Sequence, residues 1–122
     1  MPTARKPDYR PGINMALKTP PHAFEATVRF YRDVHGFEQL ADKLPNVCFQ
    51  FREKRLWIDN VPTQSRSELR LEVIADDPAA AAAHLAAAGI VRCDAIEPLP
   101  QGFEGFWIMD PAGTVCIVAK QS

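Results

Sequence analysis

Residues 102–119, with the sequence GFEGFWIMDPAGTVCIVA, give the clearest indication of the fold. Two short apolar stretches flank a polar turn, which is the pattern of a β-hairpin. Pro111 suits the position of a type I turn at which φ is preset, Asp110 can accept hydrogen bonds from the turn backbone, and Gly113 can close the turn. We therefore expect a pair of antiparallel strands here.

The order of predicted elements occurs twice along the chain. Residues 12–61 fit the order strand, helix, three strands (βαβββ), and residues 67–120 repeat it. In each copy the helix is predicted to end at a glycine, Gly36 or Gly89. The repeat predicts one α+β domain built from two βαβββ modules, and a ferredoxin-like α+β sandwich is the alternative. Residues 1–11 are expected to be a loose polar arm.

The first module illustrates the patterns on which this prediction depends. Met15 and Leu17 alternate with Asn14 and Ala16, which predicts a strand that is covered on one face. Apolar residues then recur at helical spacing over 22–34. Three strands are expected to follow, at 37–44, 46–52 and 55–61.

Composition argues against several classes of partner. The 122-residue chain has a net charge of −1, so neither a nucleic acid nor a membrane surface is expected to bind it. No segment approaches the ~18 apolar residues of a membrane-spanning helix. Cys48, Cys93 and Cys116 lack the spacing of metal ligands and lie in apolar stretches. They are expected to be free thiols, which favours a cytoplasmic protein.

Several motifs resemble those of the vicinal oxygen chelate superfamily, which includes glyoxalase I, bleomycin-resistance proteins and extradiol dioxygenases. Residues 30–38, FYRDVHGFE, resemble the family element FY(R/K)DVLGFE, with His35 in place of an aliphatic residue. Residues 110–113, DPAG, resemble its DPDGN turn, and residues 71–89 resemble the opening of its second module. The resemblance implies mixed sheets that curl around a cleft between two βαβββ modules, with helices outside, commonly in homodimers.

The resemblance also implies where the metal-dependent members hold their ion. The first and last strands of each module supply the ligands, which are usually His, Glu or Gln. Those positions fall here on Asn14, Glu68 and Ile117, with either Trp57 or Asp59 in the fourth place. Ile117 cannot bind a metal and Asn14 is a poor donor, whereas a catalytic site needs about three good ligands. We therefore expect no metal, and a divalent metal held partly by Glu68 is the alternative.

Two interpretations are possible for the residues that could bind a ligand. Trp57 and Trp107 are either core residues or walls on which a flat ligand stacks. Glu68, Arg70 and Glu72 share one strand face, which is either solvated or lines the cleft, where an acid and the Arg hold a cationic or carboxylate-bearing ligand through charge-assisted hydrogen bonds. The predicted ligand-binding residues are Asn14, Trp57, Asp59, Glu68, Arg70, Trp107 and Ile117.

Three functions follow from the resemblance. The first is a metal-free protein that holds an aromatic or peptide-like molecule in the cleft, as antibiotic-binding relatives do. The second is a metal-dependent lyase, isomerase or dioxygenase with a degenerate ligand set. The third is a paralogue of an enzyme that serves regulation or partner binding. The sequence names no catalytic residue, and the ligand count favours the first function.

Overall fold

The computed structural model describes residues 5–121, which fall into two compact units. The first unit spans residues 13–70, and the second combines residues 1–12 with residues 71–122. In chain order the elements are β1 (Tyr9–Pro11), β2 (Asn14–Thr19), α1 (Pro21–Arg29), β3 (Val47–Phe51), β4 (Lys54–Asn60), β5 (Glu68–Ala75), α2 (Pro78–Ala87), β6 (Val91–Arg92), β7 (Gly105–Met109) and β8 (Val115–Ala119). Within residues 5–121, no helix has the length and apolarity needed to cross a membrane.

The sheet of the first unit has the strand order β3-β4-β2-β5. Strands β2 and β4 run parallel, whereas β3 with β4 and β2 with β5 are antiparallel. The register puts Met15 beside Leu56 and Leu17 beside Ile58. These side chains lie on the same side of the sheet as α1, because they pack into one core with it. The buried residues of that core are Val28, Phe49, Leu56 and Ile58.

Helix α1 forms where the local signals predict it. It begins at Pro21, which is tolerated there because a first-turn N–H has no partner within the helix. Phe24 and Val28, one turn apart, pack α1 against the sheet. The chain continues into a π-helical turn at Phe30–Val34, and Gly36 then adopts a φ of +73°. The predicted helix over 22–34 is therefore an α-helix followed by one wider turn.

The strand expected at 37–44 is the main departure from the predicted βαβββ order. Gln39 makes only an isolated bridge with Phe49, and Ala41–Lys43 forms a short 3-10 turn. Pro45 follows, and it has no N–H to donate to a ladder. The prediction of a full strand is wrong here, because apolar content without sustained alternation did not define one. Strands β3 and β4 confirm the other two predictions.

In the second unit, β5 runs parallel to β8, β8 pairs antiparallel with β7, and β7 pairs antiparallel with β6. Residues 9–11, expected to belong to a loose arm, instead form β1, which pairs antiparallel with the end of β5. The Tyr9 hydroxyl and His84 Nδ1 share a hydrogen bond of 2.8 Å, which ties this strand to α2. Residues 1–4 of the predicted arm lie outside the described residues.

Both ends of helix α2 carry residues that typically begin or end a helix. The Asp77 carboxylate accepts a hydrogen bond of 3.1 Å from the Ala80 N–H, and Pro78 occupies the first helical position. After the helix, Gly89 adopts a φ of +78°. Ala81 is fully buried, because its small side chain lets the helix approach the sheet. The other buried residues of this core are Ala75, Phe106, Ile108, Cys116 and Val118.

The hairpin between β7 and β8 confirms the turn predicted from its sequence. The Gly113 N–H donates to the Asp110 carbonyl over 2.9 Å, and Gly113 has a φ of +91°. Asp110 Oδ1 accepts from the N–H groups of Ala112 and Thr114, both at 2.9 Å. Helices combined with mixed parallel and antiparallel pairing confirm the α+β class.

Replacing Gly105 with alanine is predicted to destabilise the second unit. A Cβ at this position would lie 2.6 Å from the Val118 carbonyl oxygen, and backbone cannot move aside as a flexible side chain can. We expect a loss of about 1–3 kcal/mol of unfolding free energy, measured by urea denaturation. Gly102→Ala is the control, since open space surrounds that Cβ and only its φ of +84° costs energy. Equal losses in both variants would contradict the steric explanation.

Candidate functional site

In the first unit, the side of the sheet opposite α1 carries most of the predicted binding residues. Side chains alternate along each strand, so residues between the apolar positions of β2 and β4 must project away from α1. We call this surface the polar face. Its residues, given by the strand registers, are Asn14, Ala16, Lys18, Cys48, Gln50, Arg55, Trp57, Asp59, Glu68 and Arg70.

One row of the polar face consists of charged residues from three neighbouring strands. Lys18 lies between Asp59 on β4 and Glu68 on β5 in the register. The Lys18 ammonium donates to Asp59 Oδ2 over 2.8 Å, and only 6% of Lys18 is exposed. The Thr19 hydroxyl donates to the Asp59 carbonyl over 2.7 Å, which holds β2 and β4 together at this end. A buried ammonium is tolerated here because a carboxylate lies in contact with it.

In the adjacent row a small residue separates two large ones. Ala16 on β2 lies between Trp57 on β4 and Arg70 on β5. The Trp57 Nε1–H donates to Asn14 Oδ1 over 2.8 Å, which fixes the orientation of the indole. Arg70 is only 3% exposed, and its Nε–H donates to Glu68 Oε2 over 2.9 Å. Ala16 thus lies between Trp57 and Arg70 in the register, and hydrogen bonds hold both of those side chains.

Five of the seven predicted residues, Asn14, Trp57, Asp59, Glu68 and Arg70, share this face. The sequence left open whether Trp57 or Asp59 would project there, and both do because they are two residues apart on β4. The sequence did not identify Lys18 as a site residue, although its alternation on β2 put it on the polar side. Its pairing with Asp59 depends on the β2–β4 register, which local sequence does not contain.

The other two predicted residues belong to the second unit. Trp107 and Ile117 face each other across β7 and β8, on the side of that sheet opposite α2. Trp107 is 5% exposed, and its Nε1–H donates to the Glu97 carbonyl over 3.0 Å. Its backbone N–H donates to Asp94 Oδ1 over 3.0 Å. Burial to this extent is typical of a core residue, which is one of the two readings of Trp107.

The buried cysteines are poor candidates for nucleophiles. Burial raises the pKa of the Cys48 and Cys116 thiols, so both remain protonated at neutral pH. Cys48 lies beside Trp57 on the polar face and is fully buried. Among the described residues Cys48, Cys93 and Cys116 are free thiols, as the sequence predicted.

Two open clefts lie outside the polar face, one in each unit. The cleft in the first unit measures about 280 Å³ and lies beside α1, where Phe24, Glu25, Val28, Arg29, Arg32, Gln39 and Val47 line it. The cleft in the second unit measures about 630 Å³ and lies at the start of α2, where Arg5, Asp76, Asp77, Pro78, Ala79, Glu104 and Lys120 line it. Neither cleft includes a predicted binding residue.

Comparison with known families identifies the fold. The family model of the glyoxalase-like domain matches residues 16–118, which is most of the chain. The chain belongs to the glyoxalase-like domain family. This confirms the resemblance to the vicinal oxygen chelate superfamily and removes the ferredoxin-like alternative. A search of curated protein sequences found no match.

Solved structures support the same fold at low sequence identity. The Mn(II)-bound glyoxalase from Novosphingobium aromaticivorans matches with 20% identity and a TM-score of 0.57, over 88% of this chain and 38% of that chain. A substrate complex of homoprotocatechuate 2,3-dioxygenase from Brevibacterium fuscum matches with 18% identity and a TM-score of 0.62, over 99% and 39%. A glyoxalase/bleomycin resistance protein/dioxygenase superfamily member from Vibrio splendidus 12B01 matches with 16% identity and a TM-score of 0.55, over 88% and 97%. This chain spans less than two-fifths of the first two proteins.

The residues at the positions that the family resemblance implies for a metal do not fit a divalent ion. Ile117 has no donor atom, and Asn14 Oδ1 already accepts a hydrogen bond from Trp57. The carboxylates of Asp59 and Glu68 are engaged by Lys18 and Arg70. Within residues 5–121, no three His, Cys, Asp or Glu side chains are grouped so that they could hold a metal. A catalytic site needs about three such ligands and an open position.

Replacing Lys18 with methionine is predicted to destabilise the protein by about 1–3 kcal/mol, because the partly buried Asp59 loses its charged partner. The double variant Lys18→Met/Asp59→Leu should recover most of this loss, since it removes the Asp59 carboxylate together with its ammonium partner. Urea denaturation of both variants provides the measurement. A double variant less stable than Lys18→Met would contradict the ion-pair account.

Lowering the pH is predicted to reduce the contribution of Asp94 to the stability of the fold. Burial opposes ionisation of this carboxyl, but hydrogen bonds from the Trp107 N–H and the Arg92 guanidinium outweigh it and lower the pKa below its ordinary 3.8. The ionised form therefore stabilises the fold at neutral pH, and that contribution is lost as pH falls below about 3.8. The stability difference between wild type and Asp94→Asn should shrink between pH 7 and pH 3. A difference that is constant with pH would contradict this.

Proposed function

We propose that this protein binds a small aromatic molecule on the polar face without using a metal ion. The supporting observation is the row Trp57–Ala16–Arg70, in which the strand registers put a small residue between a tryptophan and an arginine. Neighbouring strands lie roughly 4.8 Å apart, so β4 and β5 are separated by roughly 10 Å across β2. That separation accommodates one planar ring above Ala16, with the Trp57 indole as its stacking partner.

The carboxylates of Asp59 and Glu68 already contact cationic side chains, which supports binding without a metal. A family-type metal would need Asp59 or Glu68 to release Lys18 or Arg70, and each of those cations is more than nine-tenths buried. Removing the carboxylate that contacts such a buried cation would cost several kcal/mol. The metal would also need a third donor from Asn14 or Ile117, and neither provides a good one.

Similar structures are compatible with an aromatic ligand. The homoprotocatechuate 2,3-dioxygenase of Brevibacterium fuscum was solved with 3,4-dihydroxyphenylacetate. Sequestration of an aromatic or peptide-like compound is one form that binding would take in this chain. Homodimer formation and a cytoplasmic location belong to the same proposal, and they rest on the family resemblance and the free thiols.

Binding should depend on Trp57 and not on metal. We expect 4-hydroxyphenylacetate to raise the melting temperature of EDTA-treated protein, since saturation at 100 times Kd adds about 2.7 kcal/mol of stability. Trp57→Ala should weaken binding by about 0.5–1.5 kcal/mol, measured by isothermal titration calorimetry. Phe51→Ala is the matched control, because this exposed ring shares the α1 side of β3 with Phe49.

Addition of Mn²⁺, Fe²⁺, Ni²⁺ or Zn²⁺ should leave the affinity of EDTA-treated protein unchanged. Elemental analysis of the purified protein checks the same point. A stoichiometric metal that is lost in Glu68→Gln would contradict metal-free binding and favour the metal-dependent lyase, isomerase or dioxygenase.

A further inference from the structure

We infer that the open cleft beside α1 binds a free amino acid with an apolar side chain, at a site separate from the polar face. The cleft lies in the first unit, on the side of the sheet that α1 covers, and measures about 280 Å³. Small-molecule sites usually measure about 300–1,000 Å³, so this volume suits a small ligand. The lining combines apolar side chains with a glutamate, two arginines and a glutamine.

Glu25 and Arg29 lie one turn apart on α1, and both line the cleft. Oppositely charged side chains at this spacing are neighbours on a helix and can pair. Within residues 5–121, however, neither side chain makes a hydrogen bond or an ion pair, and both residues are exposed. Arg29 acts on Asp33 only at a distance, through its charge. A carboxylate and a guanidinium are therefore both available to a ligand.

One small molecule can reach both of these groups. The Cβ atoms of residues four apart on a helix are about 5–6 Å from each other. The ammonium and the carboxylate of an amino acid are bonded to the same carbon, and charge-assisted hydrogen bonds of about 2.8 Å would extend from each. The ammonium would meet Glu25, while the carboxylate would meet Arg29, whose planar fork of donors matches carboxylate geometry.

The other charged side chains around the cleft do not change this balance. Arg32, the second arginine of the lining, donates from Nε and Nη2 to the two carboxylate oxygens of Asp33, over 2.8 and 3.0 Å. On the turn before β3, Lys43 and Asp42 pair at 3.4 Å. Glu38 is exposed and does not line the cleft. The two unpaired groups of opposite sign therefore leave the cleft without net charge, and a ligand with one ammonium and one carboxylate preserves that state.

Gln39 adds a neutral donor and acceptor to the lining. A β-bridge with Phe49 fixes its backbone beside β3. In the part of the chain that the structure describes, its side-chain amide has no hydrogen-bond partner. An amide can donate to a carboxylate through its NH₂ group and accept from an ammonium through its oxygen, so Gln39 suits either end of the ligand.

The apolar part of the lining favours an apolar side chain on the ligand. Phe24 and Val28 on α1 and Val47 on β3 line the cleft and belong to the core of the first unit. Val28 is buried, whereas Phe24 and Val47 are partly exposed. A ligand side chain that covers these two residues would remove apolar surface from water, which is favourable.

Three probes that share one aliphatic chain and differ in charge test the inference. L-leucine carries both charges, 4-methylpentanoate lacks the ammonium, and 3-methylbutylamine lacks the carboxylate. We expect L-leucine to bind about tenfold or more tightly than either analogue, because each analogue loses a charge-assisted hydrogen bond. Glycine, which has both charges and no side chain, should also bind more weakly than L-leucine. NMR chemical-shift titration of the backbone amides at neutral pH measures the affinities and locates the site.

Two variants remove the charged groups one at a time. Arg29→Gln should weaken L-leucine binding about tenfold and should not weaken binding of 3-methylbutylamine. Glu25→Gln should weaken L-leucine binding but tighten binding of 4-methylpentanoate, since the acid that repels this anion is gone. A gain in affinity cannot result from misfolding. Arg66→Gln and Glu53→Gln, the same changes at exposed positions outside the lining, are the controls and should leave every affinity unchanged.

Several outcomes would overturn the inference. It is wrong if no probe binds, or if glycine or either analogue binds wild-type protein as tightly as L-leucine. It is also wrong if Trp57→Ala weakens L-leucine binding as much as Arg29→Gln does, since the amino acid would then occupy the polar face. Each of these results leaves the proposed function standing, because that function is tested with 4-hydroxyphenylacetate on the other side of the sheet.

Discussion

Strands β2 and β4 run parallel in a single register, in which Met15 lies beside Leu56 and Leu17 beside Ile58. Those four side chains contribute to the core under α1, and the residues between them must then project to the other side. A slip of one residue in β4 would turn Asp59 towards the helix and expose Ile58. The burial that stabilises the first unit thus also determines which polar groups meet on the opposite face.

On that face the carboxylates of Asp59 and Glu68 are balanced by cationic side chains of the same chain. Where a divalent ion would hold carboxylates by attraction, Lys18 and Arg70 engage Asp59 and Glu68 instead. The cations belong to the chain, so they do not dissociate. They cannot offer an open coordination position either, and polarisation of a substrate oxygen by a metal needs one.

The two tryptophans of the chain have different settings despite similar positions in their strands. Trp57 donates its indole N–H to the side chain of Asn14 and remains partly exposed on a polar surface. Trp107 donates to the backbone carbonyl of Glu97 and is almost fully buried. Both rings are fixed in orientation, but Trp57 has the accessible surface that stacking on a ligand requires. The sequence left open whether each tryptophan is a core residue or a wall on which a ligand stacks. The burial of Trp107 is that of a core residue, whereas the exposure of Trp57 is compatible with stacking.

The sequence by itself determined the features that are encoded within a few residues of one another. The hairpin turn at Asp110–Gly113, the cap at Asp77 and the helix ends at Gly36 and Gly89 are all local hydrogen-bonding or φ requirements. The period-two alternation of β2 likewise assigned its residues to two faces. The repeated pattern predicted the order of the elements, and the domain match confirmed the family that the motifs resemble.

Only the tertiary structure decided which strands are neighbours and which side chains meet. Lys18 and Asp59 are 41 residues apart, and their contact depends on β4 lying beside β2 in one particular register. Local sequence likewise did not predict that residues 37–44 form no full strand, or that β1 pairs with β5. Alternation assigns a residue to a side of its own strand, whereas strand order and register are set by the burial of distant apolar residues in a common core.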